Sequence, residues 1–212
     1  MVNWQNYWTP KGHTYGQCLT KDQWPYIYIN IPKNSSSWTS ALLAHWCLCQ
    51  RDNYFNNQDL QNKTPVIILR DPASRWLSGI GEYINLYHPG TNLNNINDTM
   101  LEWIFDRVAF DDHTEQQTMF IQNINYNNAI WFYSDDSLST NFTKWLYSIN
   151  ELNETYIPSP PENTTQSNGS KIQIKQFFKS RLDSNPKWQY KIRQYFADDY
   201  KLIQEVKFYQ TI

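Results

Sequence analysis

The feature that most constrains the fold is a unit of strand, short loop and helix that occurs twice in the first half of the chain. The first copy begins with a β-branched and aromatic segment at 26–31 and continues through a polar loop into helical apolar spacing over 38–50. The second begins with the continuous apolar run 65–69, which is typical of a buried parallel strand, and continues as a helix over 73–87. Strands that alternate with helices predict an α/β fold with a mostly parallel central sheet flanked by helices.

The remainder of the chain extends this alternation. A third strand is predicted over 129–133. The helices predicted around it and after it cover residues 99–110, 115–123, 138–149, 172–182 and 187–206. Residues 1–25 are polar and irregular, so we expect an N-terminal arm there and a single α/β domain over 26–212.

Charge excludes one class of partner. The chain has 212 residues, and 18 Lys and Arg stand against 20 Asp and Glu, for a net charge of −2. The protein as a whole therefore has no positive electrostatic potential that would attract nucleic acid. Any anionic ligand has to be bound by a few cationic and hydrogen-bonding groups at one place. The aromatic content of 17% argues against disorder, because disordered chains are poor in aromatic residues.

The sequence also bears on the compartment. No apolar run approaches the length of a membrane span, and no signal peptide is visible, so we expect a soluble, cytoplasmic protein. Cys18, Cys47 and Cys49 are odd in number and are predicted to be free buried thiols rather than metal ligands. Frequent Asn together with Lys, Ile and Tyr would suit an AT-rich coding genome of viral or bacterial origin.

The polar loop after the first strand has the composition of an anion site. It carries Lys33 and the hydroxyls of Ser35, Ser36 and Ser37, and it opens a helix whose first N–H groups favour an anion. The loop lacks the G-x-x-x-x-G-K-[ST] pattern of nucleotide triphosphatases. The alternative interpretation is an ordinary serine-capped helix.

A second set of residues follows the second strand. Arg70 stands at the end of that strand, and Ser78 lies eight residues later on the following helix. Ligands of open α/β sheets gather at the carboxyl ends of strands, so Arg70 and Ser78 are expected to face the same crevice as Lys33. The alternatives are an Arg70–Asp71 ion pair at the helix start and a helical serine without a ligand.

Together the two segments resemble a known family. Residues 31–38, IPKNSSSW, look like the 5′-phosphosulfate loop of sulfotransferases that use 3′-phosphoadenosine-5′-phosphosulfate (PAPS), and 69–78, LRDPASRWLS, look like their 3′-phosphate motif. Residues 111–117, DDHTEQQ, are similar to the Asp-x-His-x-x-x-Gln element of membrane-type carbohydrate sulfotransferases, and 195–203 resemble that group's closing helix. The resemblance implies a P-loop-like sulfotransferase fold.

The resemblance also implies roles for individual residues. Lys33 would contact the 5′-phosphate and the bridging oxygen, Trp38 would pack near the adenine, and Arg70 and Ser78 would hold the 3′-phosphate. The phosphosulfate would lie against the backbone and hydroxyls of Asn34, Ser35, Ser36 and Ser37. Many relatives have Gly where this chain has Ser35, and their C-terminal cofactor-covering loop is only weakly recognisable here, at 163–171.

The implied reaction is in-line transfer of a sulfuryl group from PAPS to a hydroxyl of a carbohydrate or small molecule, which leaves PAP and needs no metal. A general base would accept the proton of the acceptor. His113 ranks first for this role and Glu82 second, although a core histidine and a solvated acid are the plain alternatives. Two competing functions remain open: a non-catalytic PAP- or nucleotide-binding protein of the same fold, and a P-loop kinase.

Overall fold

The computed structural model describes residues 15–52, 62–122, 124–152 and 169–210. Within these residues the chain is an α/β protein with a five-stranded mixed sheet and seven α-helices. It divides into two compact units, which we call the α/β unit (the described residues of Tyr15–Arg70, Gln117–Thr164 and Leu202–Ile212) and the helical unit (those of Asp71–Gln116 and Thr165–Lys201). Most of the predicted N-terminal arm, and residues 163–168 of the predicted cofactor loop, lie outside the described residues.

The sheet belongs to the α/β unit. Its strands are β1 (Cys18–Thr20), β2 (Tyr26–Ile29), β3 (Gln50–Asp52), β4 (Thr64–Leu69) and β5 (Ile130–Tyr133). Their order is β3-β1-β2-β4-β5; β2, β4 and β5 run parallel, whereas β1 is antiparallel to both of its neighbours. The prediction of a mostly parallel sheet is therefore correct for β2, β4 and β5 and wrong for the β3-β1-β2 part. The carboxyl ends of the three parallel strands share one edge of the sheet.

The sequence did not reveal two of these strands. β1 lies within the predicted N-terminal arm, and β3 coincides with the predicted end of a helix. Each has only three residues, which is too short to show a period of two, and β3 reads Gln-Arg-Asp. These segments are strands because they pair with neighbouring strands, and not because their own sequence alternates between apolar and polar residues.

Two separate cores cover the two faces of the sheet, because successive strand residues point to opposite sides. Helices α1 (Ser36–His45) and α4 (Leu138–Ser148) contribute to one core, where Leu43 and Phe142 pack with Tyr28, Val66 and Phe132 of the strands. The other core contains alternate residues of the same strands with Phe120, Ile121 and Leu202. Both faces of β4 are buried, as its continuous apolar run predicted.

The helical unit is built around α2 (Pro72–Tyr87). The helices that accompany it are α3 (Asp98–Arg107), α5 (Gly169–Ser184), α6 (Pro186–Tyr195) and the first residues of α7 (Ala197–Glu205). Trp76 lies in the centre of its core, donating its indole N–H to the carbonyl of Val108 at 2.8 Å. Phe105 stacks on Trp188 with ring centroids 4.7 Å apart.

Two predicted helices differ from the structure. The helix predicted over 187–206 is two helices that meet at Phe196, and Asp198 and Asp199 in the first turn of α7 favour a new helix start there. The helix predicted over 115–123 is a loop with one 3₁₀ turn, Thr118–Phe120. The N–H groups of Phe120 and Ile121 donate to the carbonyls of Gln117 and Thr118, at 3.1 and 3.2 Å, which are the i→i+3 bonds of a 3₁₀ turn.

The three cysteines are free and buried, as predicted. Burial raises the pKa of the Cys18 and Cys49 thiols to about 11 and that of the Cys47 thiol to about 12, so these thiols are protonated at neutral pH. None of the helices in the described part of the chain combines the length and the apolar character that crossing a membrane requires.

Candidate functional site

The loop between β2 and α1 has an unusual backbone. Lys33 and Ser35, on either side of Asn34, both adopt left-handed conformations, with φ of 67° and 59°. Nests of backbone N–H groups that bind anions contain left-handed residues of this kind. Ser35 therefore occupies a conformation that glycine adopts most easily.

The side chain of Asn34 lies inside the protein. It is fully buried, and its amide nitrogen donates to the carbonyl of Ile68 at 2.7 Å and to Oε1 of Gln117 at 2.6 Å. These contacts tie the loop to the interior of β4. The Asn34 side chain is therefore engaged inside the protein, and its backbone N–H already donates to the carbonyl of Ile31 at 3.3 Å.

Gln117 connects this loop to the end of β4. Its buried side chain accepts a hydrogen bond from the backbone N–H of Arg70 and donates one to the carbonyl of Arg70, both at 2.9 Å. Gln117 thus pairs with Asn34 and Arg70 at once. Sequence reasoning gave Gln117 no role, although it is the last residue of the Asp-x-His-x-x-x-Gln element and that position was the available signal.

The side chain of Arg70 reaches the loop that carries Lys33. Arg70, at the carboxyl end of β4, donates from Nη1 to the carbonyl of Lys33 at 2.9 Å. β2 and β4 are neighbouring parallel strands, so their ends bring the Lys33 loop and Arg70 to the same edge of the sheet. Arg70 therefore contacts the loop of Lys33 within the α/β unit, and their sharing of one anion stays a prediction.

The serines of the loop differ in their surroundings. The hydroxyl oxygens of Ser35 and Ser134 lie 2.8 Å apart, and Ser134 directly follows β5. Ser36 is half-buried and Ser37 is exposed in the first turn of α1, where helical N–H groups have no acceptor within the helix. Trp38 is half-buried and packs edge-to-face on Phe142, 6.0 Å between ring centroids.

The remaining predicted residues belong to the helical unit. Ser78 and Glu82 are half-buried and stand one turn apart on α2. Both carboxylate oxygens of Glu82 accept a hydrogen bond from Nζ of Lys171, each at 3.0 Å. The Glu82 carboxylate is thus already bound to an ammonium group.

His113 forms a dyad with Asp111. Its Nδ1 lies 2.8 Å from Oδ2 of Asp111, while its backbone N–H donates to Oδ1 at 3.0 Å. The Asp111 side chain is 3% exposed and that of His113 is 27% exposed, so a buried carboxylate orients a partly accessible imidazole. A carboxylate at Nδ1 favours the tautomer with its proton there, which leaves Nε2 as the nitrogen that can accept a hydrogen bond.

Two buried residues of α2 hold the His113 segment in place. Arg75 is fully buried and donates from its guanidinium to the carbonyls of Glu115 and Asp112, the latter at 2.9 Å. A Cβ on Gly79 would lie 2.0 Å from the carbonyl oxygen of His113, so only glycine permits this approach. Within the helical unit, His113 is therefore fixed against the helix that carries Ser78 and Glu82.

No protein-family model, curated protein or solved structure matches this chain. Its function therefore has to be argued from the geometry of these residues and from the motif resemblance.

Proposed function

We propose that this chain is a PAPS-dependent sulfotransferase that moves a sulfuryl group to a hydroxyl of a carbohydrate or a small molecule. The observation that carries this proposal is the hydrogen bond from Arg70 to the carbonyl of Lys33. It joins the loops of two motifs that resemble the same family, at the carboxyl ends of adjacent parallel strands. Open α/β sheets bind their ligands at that edge.

The residues of the α/β unit fit the anionic part of such a donor. The left-handed loop, the Lys33 ammonium and the hydroxyls of Ser36 and Ser37 suit a phosphosulfate, while Arg70 suits a phosphate. The Ser35 hydroxyl already lies within hydrogen-bonding distance of the Ser134 hydroxyl. We therefore propose that Ser35 binds the anion through its backbone N–H. The adenine beside Trp38 and the second 3′-phosphate contact at Ser78 rest on the motif resemblance alone.

PAPS would supply an activated sulfuryl group, whose bond to the 5′-phosphate oxygen breaks as a bond to the acceptor oxygen forms. Lys33 would stabilise the negative charge that grows on the departing phosphate. The loop would hold the sulfur in line with the acceptor, since loose transfers of this kind depend mainly on alignment and charge stabilisation.

His113 is the better candidate for the general base. Nε2 of His113 would take the proton of the acceptor hydroxyl while Asp111 holds the resulting imidazolium. Both oxygens of the Glu82 carboxylate already accept hydrogen bonds from Nζ of Lys171, so an acceptor hydroxyl would have to compete with that ammonium group. We assign Glu82 to positioning.

The test is transfer of radiolabelled sulfate from PAPS to a panel of saccharide, phenol, amine and peptide acceptors. Lys33→Ala and His113→Ala should each lower the rate by about 10²-fold or more, because they remove charge stabilisation and the base. Lys144→Ala, an exposed lysine on α4, should leave it unchanged.

Two results would indicate a different function. PAP binding that is insensitive to His113→Ala and Glu82→Gln, together with no transfer to any acceptor, would identify a non-catalytic nucleotide-binding protein. Turnover of ATP with Mg²⁺ in place of PAPS would identify a kinase.

A further inference from the structure

Ser134 directly follows β5 and contacts the end of β4 as well as the β2–α1 loop. Its backbone N–H donates to the carbonyl of Leu69 at 2.7 Å, and its hydroxyl oxygen lies 2.8 Å from that of Ser35. β4 and β5 are neighbouring parallel strands, so Ser134 reaches the same edge of the sheet as Arg70 and the Lys33 loop. A third strand end therefore lies beside the loop to which we assign the donor anion.

The two serine hydroxyls leave one hydrogen for a further partner. When one serine donates to the other, the serine that accepts keeps its own O–H and can donate it elsewhere. Ser35 is the only hydrogen-bonding partner of the Ser134 hydroxyl within the described part of the chain. Ser134 is half-buried, so part of it stays accessible to a ligand in the loop.

Two acidic residues follow Ser134 in the sequence, and both are exposed. Oδ1 of Asp135 accepts hydrogen bonds from the backbone N–H and the hydroxyl of Ser137, at 2.9 and 2.7 Å, immediately before α4. Asp135 is thus engaged at the start of that helix, and Asp136 is surrounded by solvent on its exposed side. Water and salt screen exposed carboxylates, so these two repel an anion beside Ser134 only weakly.

We infer that Ser134 is a further donor-binding residue, whose hydroxyl accepts a hydrogen bond from Ser35 and donates one to the anion in the β2–α1 loop. The inference rests on the proposed function, because it assigns one more contact within the same anion site. A hydroxyl that donates to an anion makes a charge-assisted hydrogen bond, which is roughly twice as strong as a bond between neutral groups. The bound anion would thereby join the end of β5 to the loop after β2.

The experiment is calorimetric titration of the wild type, Ser134→Ala and Ser35→Ala with PAP. Both substitutions remove the same contact between hydroxyls, so a role of Ser134 in holding the loop alone would weaken binding equally in the two variants. Ser134→Ala should instead weaken PAP binding by about tenfold or more, and Ser35→Ala by less than about threefold. Thr140→Ala, which removes an exposed hydroxyl from α4, should bind PAP like the wild type.

Three outcomes would overturn the inference and leave the proposed function standing: equal losses of affinity in Ser134→Ala and Ser35→Ala, a larger loss in Ser35→Ala, or unchanged affinity in Ser134→Ala. Absence of PAP binding in the wild type would contradict the proposed function, and this inference with it. Thermal unfolding of each variant in the absence of ligand separates lost binding from lost folding. If Ser134→Ala does not fold, Ser134→Cys replaces it, with an expected weakening of about threefold or more, because a thiol is a weak donor.

Discussion

The loop after β2 and the segment around His113 are held in place by different kinds of interaction. Asn34 and Gln117 fix the loop through neutral hydrogen bonds to each other and to backbone groups of β4 and Arg70. Charged side chains fix the His113 segment, through Arg75 on backbone carbonyls and Asp111 on the imidazole.

This difference suits the tasks that we propose for the two regions. A cradle for an anion has to keep its N–H groups aligned whatever the pH, and neutral amides that bond backbone do so. A general base has to change its protonation state, and a carboxylate beside an imidazole stabilises the charge that the base acquires.

The largest expected effect is at Gln117. Gln117→Ala would leave the backbone N–H and carbonyl of Arg70 without this partner and would lower the free energy of unfolding by about 3 kcal/mol. Urea unfolding measures this loss. Gln122→Ala, at an exposed position in the same segment, should cost less than about 0.5 kcal/mol. Equal effects of the two substitutions would mean that the neutral network does not hold the loop.

The two glycines of α2 provide a matched pair for the helical unit. Gly79→Ala places a Cβ 2.0 Å from the His113 carbonyl and should destabilise the fold by about 2 kcal/mol while displacing the histidine. At Gly81 the nearest atom, the carbonyl oxygen of Lys171, is 3.6 Å away, so Gly81→Ala should be neutral or stabilise by up to about 1 kcal/mol. Thermal unfolding and transfer rates of both variants check this. A tolerated Gly79→Ala would contradict the close packing.

Acid should weaken the helical unit through Glu102. Hydrogen bonds from Lys187, Lys191 and Trp188 lower the pKa of Glu102 from 4.5 to about 2. Because the folded pKa is depressed, the stabilisation is present above pH 4.5 and is lost as the pH falls towards 2. The side chain is 35% exposed, so solvent keeps the effect below about 1 kcal/mol.

Urea unfolding of the wild type and of Glu102→Gln, compared at pH 4.5 and at lower pH, measures this loss. The difference between the two proteins should shrink as the pH falls. A constant difference would show that this charge cluster does not stabilise the unit.

The smallest expected effect is at Ser35. Ser35→Gly removes the strain of a left-handed serine but also its contact with Ser134, so the free energy of unfolding should change by less than about 1 kcal/mol. PAP binding should persist in this variant and fall by about tenfold or more in Ser35→Val, because a β-branched residue disfavours that backbone. Similar PAP affinities in the two variants would show that the backbone shape of the loop is not what binds.

The sequence correctly predicted those strands and helices that contain long apolar runs. The strands β2, β4 and β5 were correctly placed, as were the starts of the helices that follow them, although the first of these helices ends at His45 rather than at residue 50. The strand-end rule brought Arg70 to the Lys33 loop. The three-residue strands β1 and β3 were missed because pairing alone defines them. The Asn34 side chain points into the protein, and Gln117 binds both Asn34 and Arg70. These contacts join residues that are distant in the sequence, so a local sequence pattern cannot predict them.

Calorimetric titration with PAP tests the central claim most directly, namely that the β2–α1 loop and Arg70 form an anion site. The wild type should bind PAP, and Lys33→Ala and Arg70→Ala should each weaken binding by about tenfold or more, the cost of one charge-assisted hydrogen bond. The exposed control Lys144→Ala should bind like the wild type. Absence of PAP binding in the wild type, or equal affinities in all four proteins, would contradict the account.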